Sequence, residues 1–224
     1  PSDCNKNRGP NTVDYSTGIK IETVTDLFIS GGRGGLELTH TFTTDQGLNY
    51  GGLAGLSNVY RFGVGTRDNY DIRLIGSFTS SSAGYLVLPE QTPFRLADNN
   101  VLTPLNGGRL FSYDSILSAS GVPTFTNSTT TSLLSDTIRR IDAQTLEYRS
   151  IRGYIMRFEP NFNYGNSNND TYYRLKSIID RNGNTTTLTY SGNNLTQVMD
   201  AVGRTLTFSY NSPTCAQCVS QVVA

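Results

Sequence analysis

The sequence predicts an all-β protein: an antiparallel meander of long β-hairpins that builds one curved sheet. Three observations predict it. Near the end of the chain, Leu175–Tyr190 and Leu195–Tyr210 are two copies of one unit, 20 residues apart, with Asp180 matching Asp200 and Gly183 matching Gly203. Such a period marks one supersecondary unit copied and stacked. The Asp and Gly supply a turn, and the flanking Thr, Leu, Val, Phe and Tyr supply two strands. Upstream, apolar residues alternate at period 2 between glycines, the pattern of half-buried strands. The composition agrees: 28 Thr and 13 Tyr favour strands, while 22 Gly favour turns.

The elements follow in order. Residues 1–16 form a polar, irregular lead-in. Residues 17–170 form the main β region. Its first strands run through Ile19, Ile21, Leu27 and Ile29, and, after Gly31-Gly-Arg-Gly-Gly35, through Leu36-Glu-Leu-Thr-His-Thr-Phe42, with Leu36, Leu38 and Phe42 expected on one side. Residues 45–57 read as a Gly-rich loop. Strands are expected near 73–78, 84–88 and 108–113, then a loop or exposed strand over 118–132. Further strands fall near 137–141, 146–149 and 153–158, followed by a polar loop at 161–170. The segment 132–141 also admits one short helix, through Leu133, Leu134 and Ile138. Residues 171–212 hold the two hairpin repeats, and 213–224 form a cysteine-containing tail.

Composition excludes several function classes. Eighteen basic residues balance eighteen acidic ones, and charged residues are 16% of the chain, below the usual ~25%. No basic field is available to attract nucleic acid. No apolar run approaches the ~18 residues of a membrane-spanning helix. Residue 1 is Pro, so the chain reads as a mature or excised piece of a longer product. The low charge and Thr-rich strands suit an extracellular or cell-surface protein.

Candidate modification sites are few. Asn127, Asn169, Asn184 and Asn194 each begin an N-x-S/T sequence and are possible glycosylation sites. The three cysteines are Cys4, Cys215 and Cys218. A zinc site needs about four ligands and the chain has one His. Val219 follows Cys218 where a c-type haem motif needs His. The remaining reading is a disulfide, either within the Cys215–Cys218 pair or between Cys4 and one of the two.

Catalytic chemistry finds little support. His40, the sole histidine, lies in an alternating strand with no ligand cluster near it in sequence, and no G-x-S-x-G elbow accompanies it. Gly31–Gly35 lacks the Lys–Ser/Thr of a phosphate loop and leads into a strand. Asp180 and Asp200 read as turn residues whose carboxylates bond to backbone N–H groups two residues on. Tyr172, Tyr173, Tyr190 and Tyr210 either pack across strands or stack on sugar rings of a surface glycan. No catalytic, cofactor-binding or metal-binding residue is assigned, and no cofactor is expected.

The repeat Asp180-Arg-Asn-Gly-Asn-Thr-Thr-Thr-Leu-Thr-Tyr190, followed by Asp200-Ala-Val-Gly-Arg-Thr-Leu-Thr-Phe-Ser-Tyr210, resembles the YD repeat of the Rhs family. Earlier blocks are similar to the segment that precedes such repeats: Val13–Gly18, Leu36–Phe42 (with His40 where Arg is usual and Phe42 where Tyr is usual), Gly65–Leu74 (with Thr66 where Trp is usual) and Tyr154–Phe158. The resemblance implies a sheet of hairpins that spirals into a hollow shell, often around a C-terminal cargo; relatives also act as surface or adhesion proteins. Two repeats do not close a shell, and neither a self-cleaving block nor a toxin domain is recognisable. The expected function is a non-enzymatic extracellular structural or interaction module, a shell wall or surface scaffold. The alternatives are a filament subunit joined to copies of itself by strand addition at open sheet edges, and a carbohydrate-binding or carbohydrate-active domain.

Overall fold

The computed structural model describes residues 20–31, 35–43, 61–63, 66–79, 84–89, 94–96, 102–104, 109–127, 136–161, 172–211 and 218–224. Among these, every strand pairing is antiparallel and no α-helix occurs; one 3-10 turn covers Leu117–Ser120.

The described residues form seventeen strands. They are β1 Ile21–Ile29, β2 Leu36–Thr43, β3 Thr66–Asp68, β4 Arg73–Gly76, β5 Gly84–Val87, β6 Phe94–Leu96, β7 Leu102–Pro104, β8 Arg109–Tyr113 and β9 Thr124–Asn127. The rest are β10 Thr137–Asp142, β11 Thr145–Arg149, β12 Ile155–Pro160, β13 Tyr172–Ile179, β14 Thr185–Ser191, β15 Asn194–Met199, β16 Thr205–Ser209 and β17 Gln221–Val223. The short helix admitted over 132–141 does not cover its C-terminal half: residues 137–142 pair as β10 with both β9 and β11.

β4, β5, β8, β9, β10, β11, β12 and β13 form one ring, closed because β12 also pairs with β13. A barrel of about eight strands has an interior that side chains just fill. Here it is filled by Leu74, Phe78, Leu86, Phe111, Phe125, Leu146, Tyr148 and Phe158, all with no solvent exposure. Phe78 meets Phe125 edge-on at 5.3 Å and Tyr173 at 6.0 Å, a favourable aromatic arrangement. Gly84 permits this: a Cβ there would lie 2.2 Å from the Phe78 ring. Phe78 itself adopts φ +44°. Arg140 braces it, with Nη2 donating to the Ser77 and Phe78 carbonyls and to the Tyr173 hydroxyl. Closure is the main departure from the open curved sheet read in the sequence.

The ring branches at β13. One side of β13 pairs with β12 along nearly its whole length. On the other side, residues 172–174 pair with β4, while residues 177–179 pair with β14. From that fork, β14, β15, β16 and β17 run outward as successive hairpins. A second sheet, β1-β2-β3, packs through Leu36 and Leu38 into the same buried cluster as the ring. Phe42, expected beside these leucines, is instead 43% exposed, and its neighbour Thr41 is buried.

The repeats explain their own turns. Asp180 Oδ1 accepts from the N–H groups of Asn182 (2.8 Å) and Asn184 (2.9 Å). Asp200 Oδ1 does the same for Val202 (3.0 Å) and Arg204 (2.9 Å). Gly183 and Gly203 sit at φ +84° and +87°, a region glycine enters without steric penalty. Each unit is then tied at its far end. Tyr190 Oη donates to the Leu175 carbonyl (2.7 Å) and Tyr210 Oη to the Leu195 carbonyl (2.8 Å), so the last residue of each copy bonds to its first. A third turn of this kind precedes them. Ser150 and Gly153 replace Asp and Gly between β11 and β12, with Gly153 at φ +85° and matching hydrogen bonds from Arg152 and Gly153 back to Ser150.

Candidate functional site

The fork creates the most chemically distinctive place in the fold. Where β4 and β14 diverge from β13, neither strand fills the wedge between them. A small cleft, with about 40 Å³ open to water, lies there, and its lining includes Arg61, Asp71, Arg73, Arg174, Tyr172 and Tyr190. Three guanidinium groups thus face one carboxylate in a chain of zero net charge.

Short strands bring these groups together. Asp68 ends β3, Asp71 lies in the turn after it and Arg73 opens β4. The turn is held by the Asp68 carboxylate, which accepts from the Tyr70 N–H at 2.8 Å, and by a bond from the Asp71 N–H to the Asp68 carbonyl. Asp71 receives Arg67 Nε at 3.1 Å on one oxygen and Arg73 Nε at 2.6 Å on the other. Arg61 Nε stands 3.2 Å from Asp68. Arg174 is fixed from three directions: Glu159 (2.8 Å from Nε), the Gly192 carbonyl (2.6 Å from Nη1) and the Tyr190 ring, 4.2 Å beneath its Cζ.

Electrostatics follow from burial and charge. Burial works against the Asp71 carboxylate, but the guanidiniums of Arg73, Arg67 and Arg61 overcome it and bring its pKa down to about 2. Burial also opposes the Arg61 charge, yet Asp68 and Asp71 hold Arg61 protonated above its ordinary value. Asp68 is raised, because burial outweighs the help of Arg61. Burial raises the Tyr190 phenol far up and the Tyr210 and Tyr70 phenols to about 12, so all three stay neutral donors at physiological pH. Two guanidinium nitrogens are buried without an aligned hydrogen bond, Arg61 Nη1 and Arg73 Nη2. The second is still in ion contact with Asp71; for Arg61 Nη1 no such contact is formed among the described residues.

The residues singled out from sequence fall elsewhere. Asp180, Gly183, Asp200 and Gly203 form the repeat turns. Tyr172 and Tyr173 are buried, and the Tyr190 and Tyr210 hydroxyls bond to backbone, so all four pack. His40 has Nδ1 against Asp26 and its ring 3.9 Å from that of Phe62. Gly31 and Gly35 flank a connection whose centre lies outside the described residues. Of the sequons, Asn127 is buried at the end of β9, Asn184 donates through Nδ2 to Asp180 at 2.7 Å, and Asn194 opens β15 opposite Ser191; Asn169 lies outside the described residues. Cys218 carries no free thiol, and its candidate partners Cys4 and Cys215 lie outside the described residues.

Among the described residues, no group of three or more His, Cys, Asp or Glu side chains is placed to hold a metal ion. None of their helices is long and apolar enough to cross a membrane. Compared with known proteins, the chain matches no family model and no curated protein at a significant level.

Proposed function

We propose that this chain is a non-enzymatic structural module of Rhs/YD-repeat type, working outside the cell as a wall or scaffold. One observation carries the reading. From β13 of the ring outward, the sheet is extended by two hairpins built to one plan, β13–β14 and β15–β16, each turning on an Asp and tied by a Tyr-to-Leu bond, so length is added by copying a unit. The ring is packed solid with aromatic and aliphatic side chains, so the module supplies wall and encloses no cargo of its own. A disulfide of Cys218 with Cys215 or Cys4 suits an oxidising compartment.

A second reading, growth by addition of copies, is favoured by the sheet edges. β17 ends the large sheet and β1 ends the small one, and neither has a second strand partner among the described residues. β1 also exposes Val24 (50%) and Phe28 (68%). Unpaired edges invite strand addition, and head-to-tail contacts between different edges build open polymers. The Ser220 N–H bonds inward to Ser209, so alternation turns the Gln221 N–H outward. Gln221→Pro then blocks the edge without removing a bond to β16. Light scattering across concentration tests both readings. Growth that is abolished by Gln221→Pro supports copy addition. A monomer at every concentration removes it and leaves the module of a longer wall. Glycan turnover by the purified chain overturns the non-enzymatic reading.

A further inference from the structure

A wider groove lies at the seam between the small β1-β2-β3 sheet and the ring, with about 470 Å³ open to water. That is the size of a small-ligand site, roughly 300–1,000 Å³. Its walls differ in chemistry. The small sheet contributes Thr23, Glu37, Thr39 and Thr41, which share one face because Thr23 pairs with Thr41 and the other two alternate with it along β2. The ring and its connections contribute the apolar Ile72, Leu88 and Ile178. The polar wall is rich in acceptors. Thr25 and Thr39 both donate to Glu37 Oε1, at 3.0 and 2.8 Å, so Oε2 keeps its lone pairs. Thr23 and Thr41 share one hydroxyl bond at 3.3 Å. Asn69, also on the groove, is committed to backbone: Nδ2 donates to the Glu37 carbonyl and Oδ1 accepts from the Thr39 N–H. Among the described lining residues Glu37 is the one charged group; it is solvent-exposed and forms no ion pair with a described residue.

An occupant that matches both walls brings hydrogen-bond donors and positive charge at one end and apolar surface along its length. Glu37 repels an anion, and a wholly apolar ligand would strip water from the carboxylate and hydroxyls without replacing it. We propose that this groove binds a lysine side chain of a partner protein, with the ammonium against Glu37 and the threonine hydroxyls, and the four-carbon stem along Ile72, Leu88 and Ile178. An ammonium has three donors and no acceptor, the complement of an acceptor-rich wall. Its stem covers apolar surface while the charged head stays near water, as the exposed position of Glu37 requires. The open space exceeds that of one alkyl chain, so the side chain enters with its flanking backbone, as part of a peptide. This site is independent of the scaffold reading: it lies at the seam of the two sheets, away from the outer edge of β17.

Acetyl-Gly-Lys-Gly-amide, which carries a single positive charge, tests the site when titrated at low ionic strength into the methyl-labelled full chain and followed by NMR. Its Nε-acetyl form and acetyl-Gly-Glu-Gly-amide are the comparison probes. The lysine peptide is expected to shift the Ile72, Leu88 and Ile178 methyl signals with a Kd of about 1 mM. The strength of an exposed ion pair sets the discrimination: the Nε-acetyl form, which keeps the stem and loses the charge, should bind about three- to fivefold more weakly. The glutamate peptide should leave the signals unmoved. Glu37→Gln sits at an exposed position and keeps an oxygen for Thr25 and Thr39, so the fold is retained. It should lose the same factor for the lysine peptide and bind the Nε-acetyl form unchanged, which separates lost charge from a disturbed groove. The proposal is overturned if the lysine peptide leaves those signals unmoved, if either comparison peptide binds as tightly, or if Glu37→Gln binds the lysine peptide as the parent does.

Discussion

Replacing Gly203 by alanine isolates one backbone torsion. Gly203 sits at φ +87°, and a Cβ built there finds nothing within 4 Å. The substitution therefore introduces no clash and removes no contact, and its whole cost is that of holding an L-residue in the left-handed region. That cost is about 1–2 kcal/mol, which for a domain of this size lowers Tm by roughly 2–8 °C. Asn tolerates the left-handed region better than other non-glycine residues, so Gly203→Asn should recover about half of the loss, while the β-branched Gly203→Val should exceed Gly203→Ala. Gly183 has φ +84° and equally open space, so its series should follow that of Gly203 within about 0.5 kcal/mol. The chain has no tryptophan, so urea and thermal melts followed by far-ultraviolet circular dichroism are the suitable assay. The reasoning is refuted if Gly203→Ala is as stable as the parent, or if Asn costs as much as Val, since either result would mean that the torsion does not constrain the hairpin.

Two further outcomes are expected. Tyr210→Phe removes the bond to the Leu195 carbonyl and should cost about 1–3 kcal/mol in a urea melt, with Tyr190→Phe matching it at Leu175. Stability should fall as pH drops from about 4 toward 2. Asp71, lowered to about 2, and the lowered Asp180 and Asp200 all contribute stability above the unfolded carboxylate pKa and lose it as the folded form protonates. Asp68, raised by burial, titrates in the opposite sense and reduces the net loss. Asp71→Asn should flatten that part of the pH–stability curve, and an unchanged slope would contradict the assignment.

The repeats were legible because turn chemistry is local. An Asp carboxylate reaches backbone N–H groups two and four residues on, so its signature survives in the linear sequence. The turn at Ser150–Gly153 keeps only the side-chain bond to the N–H two residues on, and it was hidden. Ser replaces Asp there, and the interval to Asp180 is longer than the 20-residue period. Most barrel strands were visible through alternation. Leu36 and Leu38 sit where period 2 puts them, whereas Phe42, near the strand end, is exposed. Closure was not legible, because pairing Arg73 with Arg174 and Phe158 with Leu175 depends on which strands meet in space.

The cleft was obscured for the same reason, compounded by charge balance. Eighteen cations against eighteen anions read as a neutral surface, and no window of sequence shows Arg61, Arg73 and Arg174 converging. One local signal existed. Arg67, Asp68, Asp71 and Arg73 place four charges in seven residues between apolar positions, and three of them are buried or nearly so. In a chain poor in charge, such a cluster beside a short strand is an expensive arrangement to bury, because each ion loses its hydration. A solvent-exposed strand would scatter these residues outward at little cost, and a purely structural core would use apolar side chains of similar volume. The fork offers a physical reason for keeping them. Where β4 and β14 separate on β13, backbone and side-chain groups face a wedge that neither sheet edge can fill. Guanidiniums long enough to cross it tie the ring to the repeat extension, as Arg174 does at the Gly192 carbonyl. The branch that lengthens the sheet and the cleft that gathers its charges are therefore one feature.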